Sequence, residues 1–198
     1  MFKELNRRSL YLMAGIAVAL ALVNAAVFVY FPMNIGLSPQ NPPIYFDLGS
    51  NAGGSDLWGN TISVSTSQAN TILNIQVHPT YQTNYYKNIA TIKRQDTTHA
   101  YYVLFKVTDA ISDTNVTSAY LIITNSTTGE EIARVDLTNT MGVQPSSWIS
   151  ISSSDTLNVS LEITISPSNG VTYNTSPHLE DGSATVQLIF SPQGNEMP

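Results

Sequence analysis

Residues 157–165, Leu-Asn-Val-Ser-Leu-Glu-Ile-Thr-Ile, alternate an aliphatic with a polar side chain over nine positions. Successive side chains of an extended strand point to opposite faces, so Leu157, Val159, Leu161, Ile163 and Ile165 share one face and Asn158, Ser160, Glu162 and Thr164 the other. The spacing predicts a strand with one side on a core and the other in water.

The same period recurs on both sides of this stretch. Ile44-Phe46-Leu48, Ile62-Val64 and Leu73-Ile75-Val77 repeat it, with Asn74 and Gln76 facing outward. Tyr101 to Phe105 is apolar on both faces, as in a strand covered on both sides in the middle of a sheet. Ala119–Thr124 and Glu131–Leu137 flank Asn125-Ser126-Thr127-Thr128-Gly129, where glycine supplies the positive φ of a hairpin loop. Further strands are expected at 88–94, 147–152 and 184–190, with polar loops at 49–56, 78–84, 109–115 and 166–183. About ten short strands and no amphipathic helix beyond Pro32 predict an all-β chain with a single β-sandwich, jelly-roll or immunoglobulin-like, over 44–198. Ser38 to Pro43 (SPQNPP) reads as a short hinge before it.

Composition narrows the function. Only 11% of the 198 residues are charged, and Ser, Thr and Asn fill the polar positions, the mark of an exported surface protein. The formal net charge is −6. Lys3, Arg7 and Arg8 precede the first apolar run, and beyond residue 25 five basic residues face thirteen acidic ones, a net of −8. Such a body repels phosphate backbones, so no nucleic-acid partner is expected. The chain has no cysteine, which excludes disulfides, thiolate catalysis and Cys-ligated metals.

From Leu10 to Phe31 no charge interrupts 22 residues, a run that as a helix measures ~33 Å at ~1.5 Å per residue and matches a bilayer core. Its character changes partway. Leu10–Leu22 is rich in Ala, Leu and Met, whereas Val27-Phe28-Val29-Tyr30-Phe31 is β-branched and aromatic and ends at Pro32. Val23-Asn24-Ala25 between them suits a signal peptidase. The reading is a signal peptide over 1–25, a hydrophobic strand and hinge over 26–43, and the sandwich over 44–198. The membrane is then met only through the N-terminal segment before cleavage. An uncleaved anchor, Leu10–Phe31, and a pilin-type leader cut at Arg8-Ser9 are the alternatives. Free in water, Ala26-Val27-Phe28-Val29-Tyr30-Phe31 is an aggregation hazard, so it must enter its own sheet or a groove on a neighbouring copy.

Sites of other kinds are sparse. Sequons at Asn115, Asn125, Asn158 and Asn174 are candidates for glycosylation, in loops, at a hairpin or on a polar strand face. His78, His99 and His178 are isolated in sequence, and no metal site is expected. Asp47 to Asp56 (DLGSNAGGSD) has oxygen ligands but lacks the alternating acids of a calcium loop. Tyr81, Tyr85 and Tyr86 near His78-Pro79 form either a sugar platform or the cap of a sandwich end. No nucleophile elbow, phosphate loop or zinc motif occurs, so neither catalytic residues, enzymatic activity nor a cofactor is expected.

NPPIYFDLGSNA at 41–52 and VHPTYQTNYYKNIATIKRQDTTHAYYVLFKVTD at 77–109 carry a resemblance. With the export signal and the hydrophobic strand, this pattern resembles archaeal surface-filament subunits, the bundling pilins, related to bacterial TasA and camelysin, over residues 20–140. The resemblance implies a jelly-roll subunit that donates its N-terminal strand, Ala26 to Phe31, to the next copy. The partner would be a second copy in a head-to-tail extracellular homopolymer, serving adhesion or biofilm cohesion. Strand chemistry agrees: burying these side chains brings roughly 10 kcal/mol of gross apolar stabilisation, less the cost of association and ordering. A membrane-anchored monomeric ectodomain binding a surface ligand, and a pilin-like subunit with a helical core, are the competing expectations.

Terminal sequencing and intact mass of protein taken from its native cell surface are expected to return Ala26 as the first residue. Ser9 would indicate the helical-core alternative, and an intact Met1 the anchored one.

Overall fold

The computed structural model describes residues 6–23, 32–80, 82–140, 142–152, 155–166 and 182–194. The chain divides into two units, Met1–Pro39 and Gln40–Pro198.

In the first unit α1, Arg7–Val23, takes up the start of the apolar run. The Asn6 carbonyl opens it by accepting the Ser9 N–H at 2.8 Å, the Leu10 N–H at 3.2 Å and the Ser9 hydroxyl at 2.7 Å. At 17 residues it extends ~26 Å. Among the described residues no helix is long and apolar enough to cross a membrane. Ala26 to Phe31 lie outside the described residues.

The second unit is all-β. Its strands are β1 (Ile44–Leu48), β2 (Ser63–Ser67), β3 (Ile72–Gln76), β4 (Gln82–Arg94), β5 (Tyr101–Asp109), β6 (Val116–Asn125), β7 (Glu131–Asp136), β8 (Val143–Ile151), β9 (Leu157–Ile165) and β10 (Thr185–Ser191). Among the described residues its one helical element is a short 3-10 turn, Leu57–Gly59, capped by the Asp56 carboxylate. A five-stranded antiparallel sheet has the order β1-β4-β9-β6-β7, a three-stranded one β10-β5-β8, and β2-β3 is a separate ribbon. Apolar side chains from the first two sheets join one buried cluster, among them Ile89 and Ile92 of β4, Leu157 and Ile165 of β9, and Val103 and Phe105 of β5.

The 157–165 alternation is the middle strand of the largest sheet, with Leu161 opposite Tyr86 on β4 and Leu121 on β6. Its aliphatic face is buried as expected, but the polar face is not all open to water: Ser160 is 1% exposed. The cause is a β-bulge in β4 between Tyr86 and Ala90. There Asn88 takes a φ of 48° and its N–H, turned out of the ladder, donates to Ser160 Oγ at 3.0 Å. The Asn88 carbonyl accepts the Asn51 N–H, and the Ile89 carbonyl accepts the Gly49 N–H.

Tyr101–Phe105 lies in the middle strand of its sheet, as the two-faced apolarity implied. The 119–137 hairpin is β6-β7, with Gly129 at φ +73° and its N–H on the Asn125 carbonyl at 2.8 Å. β4 corrects the expected loop 78–84. Gln82, Thr83 and Asn84 read as turn residues, yet they pair with Ile165, Thr164 and Ile163. β8 also starts earlier than expected, because Pro145 hides a strand from a propensity reading.

A Cβ on Gly49 would stand 2.1 Å from the Asn88 carbonyl oxygen and 2.6 Å from the Ala90 nitrogen, both backbone atoms. Gly49→Ala is therefore expected to cost about 1–3 kcal/mol, read as a lower denaturant midpoint with unchanged slope.

Candidate functional site

Each strand has two edges of N–H and C=O groups that require partners. Among the described residues β10 is paired through β5 alone and β3 through β2 alone. Their two other edges bound a cleft of about 970 Å³. Every residue from Thr71 to Val77 and from Gly182 to Phe190 lines it. Since alternate residues of a strand face opposite ways, a wall made of consecutive residues is a strand edge rather than a strand face.

The floor is the apolar face of the five-stranded sheet, with Ile92, Val159, Leu161 and Leu121, and Phe105 from β5. Around it stand side chains left half-buried: Phe46, Leu73, Ile75, Leu121, Val186 and Leu188. The well-packed interior stops here.

The edges of β7, β8 and β1 are blunted, whereas β2 (SVSTS), paired among the described residues through β3 alone, is as uncharged as β3 but does not line the cleft. On β7 the Gln144 side chain acts as a short strand, its Oε1 accepting the Asp136 N–H at 2.9 Å and its Nε2 donating to the Asp136 carbonyl at 3.4 Å. β8 carries Pro145, which has no N–H. On β1 Asp47 is held by Lys93 Nζ at 2.6 Å, and the Phe46 N–H is taken by the Asn70 carbonyl. β3 (ILNIQ) and β10 (TVQLIFS) have no charge, no proline and no glycine. Among the described residues they thus lack the charge and proline that commonly keep a strand edge from pairing, although β10 has a register irregularity at Thr185/Val186.

The end of the cleft near β4 is fixed by polar contacts. His78 donates its N–H to Asp56 Oδ2 at 2.7 Å, and its Nδ1 lies 3.2 Å from the same oxygen. The Asp56 carboxylate is 2% exposed and also accepts the Leu57 N–H. Thr80 and Asn84 bond reciprocally, Thr80 N–H to Asn84 Oδ1 and Asn84 Nδ2 to the Thr80 carbonyl. These bonds hold Val77 and Pro79 in the wall. Tyr86 Oη is buried nearby and among the described residues makes no hydrogen bond, and burial, followed by the charge of Asp56, pushes its pKa up.

The expected site residues do not converge. The Asn115 N–H is on Asp113 Oδ1, and Thr117 Oγ1 of its sequon is on the Thr164 carbonyl. Asn125 Oδ1 accepts the Thr127 and Thr128 N–H groups at the hairpin. Asn158 sits on β9 between Thr91 and Thr124, and Asn174 lies outside the described residues. His99 is at the β4–β5 turn, where Thr98, Tyr101 and His99 bond the Asp96 carboxylate and hold its pKa well below the usual range. His178 and Tyr81 fall outside the described residues. Tyr85 and Tyr86 form no aromatic platform, because strand alternation exposes the first and buries the second. Of the acids in 47–56, Asp47 is taken by Lys93, which lowers its pKa, and Asp56 by His78. Among the described residues no group of His, Asp and Glu could hold a metal ion.

The cleft itself was missed. Its signal was the uncharged, proline-free composition of 72–76 and 184–190, visible only once these strands are known to be edges. No protein-family model and no curated protein matches this chain.

An environment-sensitive apolar dye is expected to brighten on binding the unassembled protein, and Leu188→Asp to remove most of that gain. Equal brightening in the variant would place the dye elsewhere.

Proposed function

We propose that this chain is a structural subunit of an extracellular filament, exported by its N-terminal segment, which polymerises when Ala26 to Phe31 of one copy fill the cleft of the next. In this reading the two main sheets face each other as a β-sandwich, and the β2-β3 ribbon joins the smaller one through the donated strand. The observation that carries the proposal is the pair of strand edges, β3 and β10, unpaired among the described residues along a cleft with an apolar floor.

Three physical points support it. Six residues at ~3.3 Å each extend ~20 Å, the length of the six-residue run Thr185–Phe190 along one wall. Val27, Val29 and Phe31 share one face of an extended segment and Phe28 and Tyr30 the other, so either face offers such a floor large apolar, uncharged side chains, and strand addition supplies ladder bonds. A strand given by one copy and taken by the next is a heterologous contact, which propagates as a filament unless the rotation closes a ring. The filament would serve adhesion or biofilm cohesion.

Two half-defective variants test the proposal. Deleting Ala26 to Phe31 removes the donor and keeps the cleft, while Leu188→Asp spoils the cleft and keeps the donor. Neither is expected to form filaments alone, and a mixture is expected to stop at one-to-one dimers in sedimentation. Filaments from the deletion variant would refute the proposal, as would two assembly-deficient variants that remain monomers when mixed.

A further inference from the structure

β3 and β10 pass along the cleft in opposite senses. β4 runs from Gln82, opposite Ile165, to Arg94, opposite Ile44. The Asn70 carbonyl, just before β3, takes the Phe46 N–H in the Arg94 half, and β3 leads through 77–81 to Gln82. β3 therefore runs toward the Gln82 end. β5 starts beyond the turn that follows Arg94, and β10 is antiparallel to it, Thr185 opposite Asp109 and Ser191 opposite Tyr102. β10 therefore runs toward the Arg94 end. One strand between them must be parallel to one neighbour and antiparallel to the other.

Two independent features choose the sense. β10 offers seven residues of edge and β3 five, and antiparallel pairing is the stronger kind, so it falls to the longer edge. The cleft is also graded in size. Gly182, Ser183 and Ala184 line its Gln82 end, and Phe46 and Phe190 its Arg94 end, with Phe190 42% exposed. The donor segment is graded the other way along its length, from Ala26-Val27 to Tyr30-Phe31. Bulk meets space only if Phe31 lies at the Gln82 end.

Resting on the strand-donation reading, we infer that Ala26 to Phe31 of one copy enters antiparallel to β10 and parallel to β3 of the next. Ala26 then lies beside Phe190, and Phe31 beside Thr185. The donor's chain leaves through Pro32 at the Gln82 end, so its body neighbours the loops of that end of the acceptor.

The chain has no cysteine, so introduced pairs report cleanly. Val27→Cys is combined in turn with one cysteine at each position from Val186 to Ser191, in the full chain, and assembled filaments are oxidised and run on a non-reducing gel. A disulfide requires Cα atoms within about 7 Å. A ladder of linked subunits is expected from cysteines near Phe190. A ladder from cysteines near Val186 would overturn the polarity and leave strand donation standing. Filaments without a ladder at any position would overturn both. If Val27→Cys prevents assembly, Ala26→Cys carries the same scan and the same outcomes.

Discussion

Hydrogen-bonding groups along both sides of every strand set the terms for this molecule. A strand inside a sheet satisfies both rows, whereas a strand at the margin leaves one row to water or to another chain. β9 shows the satisfied case, with β4 on one side and β6 on the other. The sheet's aliphatic face is assembled around it. Among the described residues some of the remaining edges are closed by local chemistry, such as the Gln144 amide on β7, while those of β3 and β10 are unpaired beside the cleft.

The bare edges coincide with the place where packing is incomplete. Leu73, Ile75, Val186 and Leu188 are half-buried, while Ile92 and Val159 beneath are fully buried. Backbone groups unpaired by protein and incompletely covered apolar surface are independent features, and the proposed strand insertion would answer both. The polar staples at its end, His78 on Asp56 and Thr80 on Asn84, keep its wall in place.

Strand positions were legible wherever the period of two was clean. Leu157–Ile165, Tyr101–Phe105 and the hairpin around Gly129 were read from alternation, two-faced apolarity and turn chemistry. Gln82 to Asn84 were misread, because their polarity mimics a turn and only pairing with β9 makes them a strand. The cleft was illegible for a related reason. Whether β3 and β10 are margins depends on which strands adjoin them, and sheet order is a long-range property that no local window carries.

The bulge at Asn88 reaches into the chemistry of a distant sequon. Asn158-Val159-Ser160 presents its serine in the middle strand of five, buried and holding the Asn88 N–H. A transferase that reads the tripeptide needs that hydroxyl free and the strand out of its sheet. Any modification at Asn158 would therefore have to precede closure of the sheet, since both would use the same atoms. Asn125 is closed off in its own way, at the end of β6 opposite Leu157 with its Oδ1 on the Thr127 and Thr128 N–H groups, so occupancy at either position would report on the order of folding and modification.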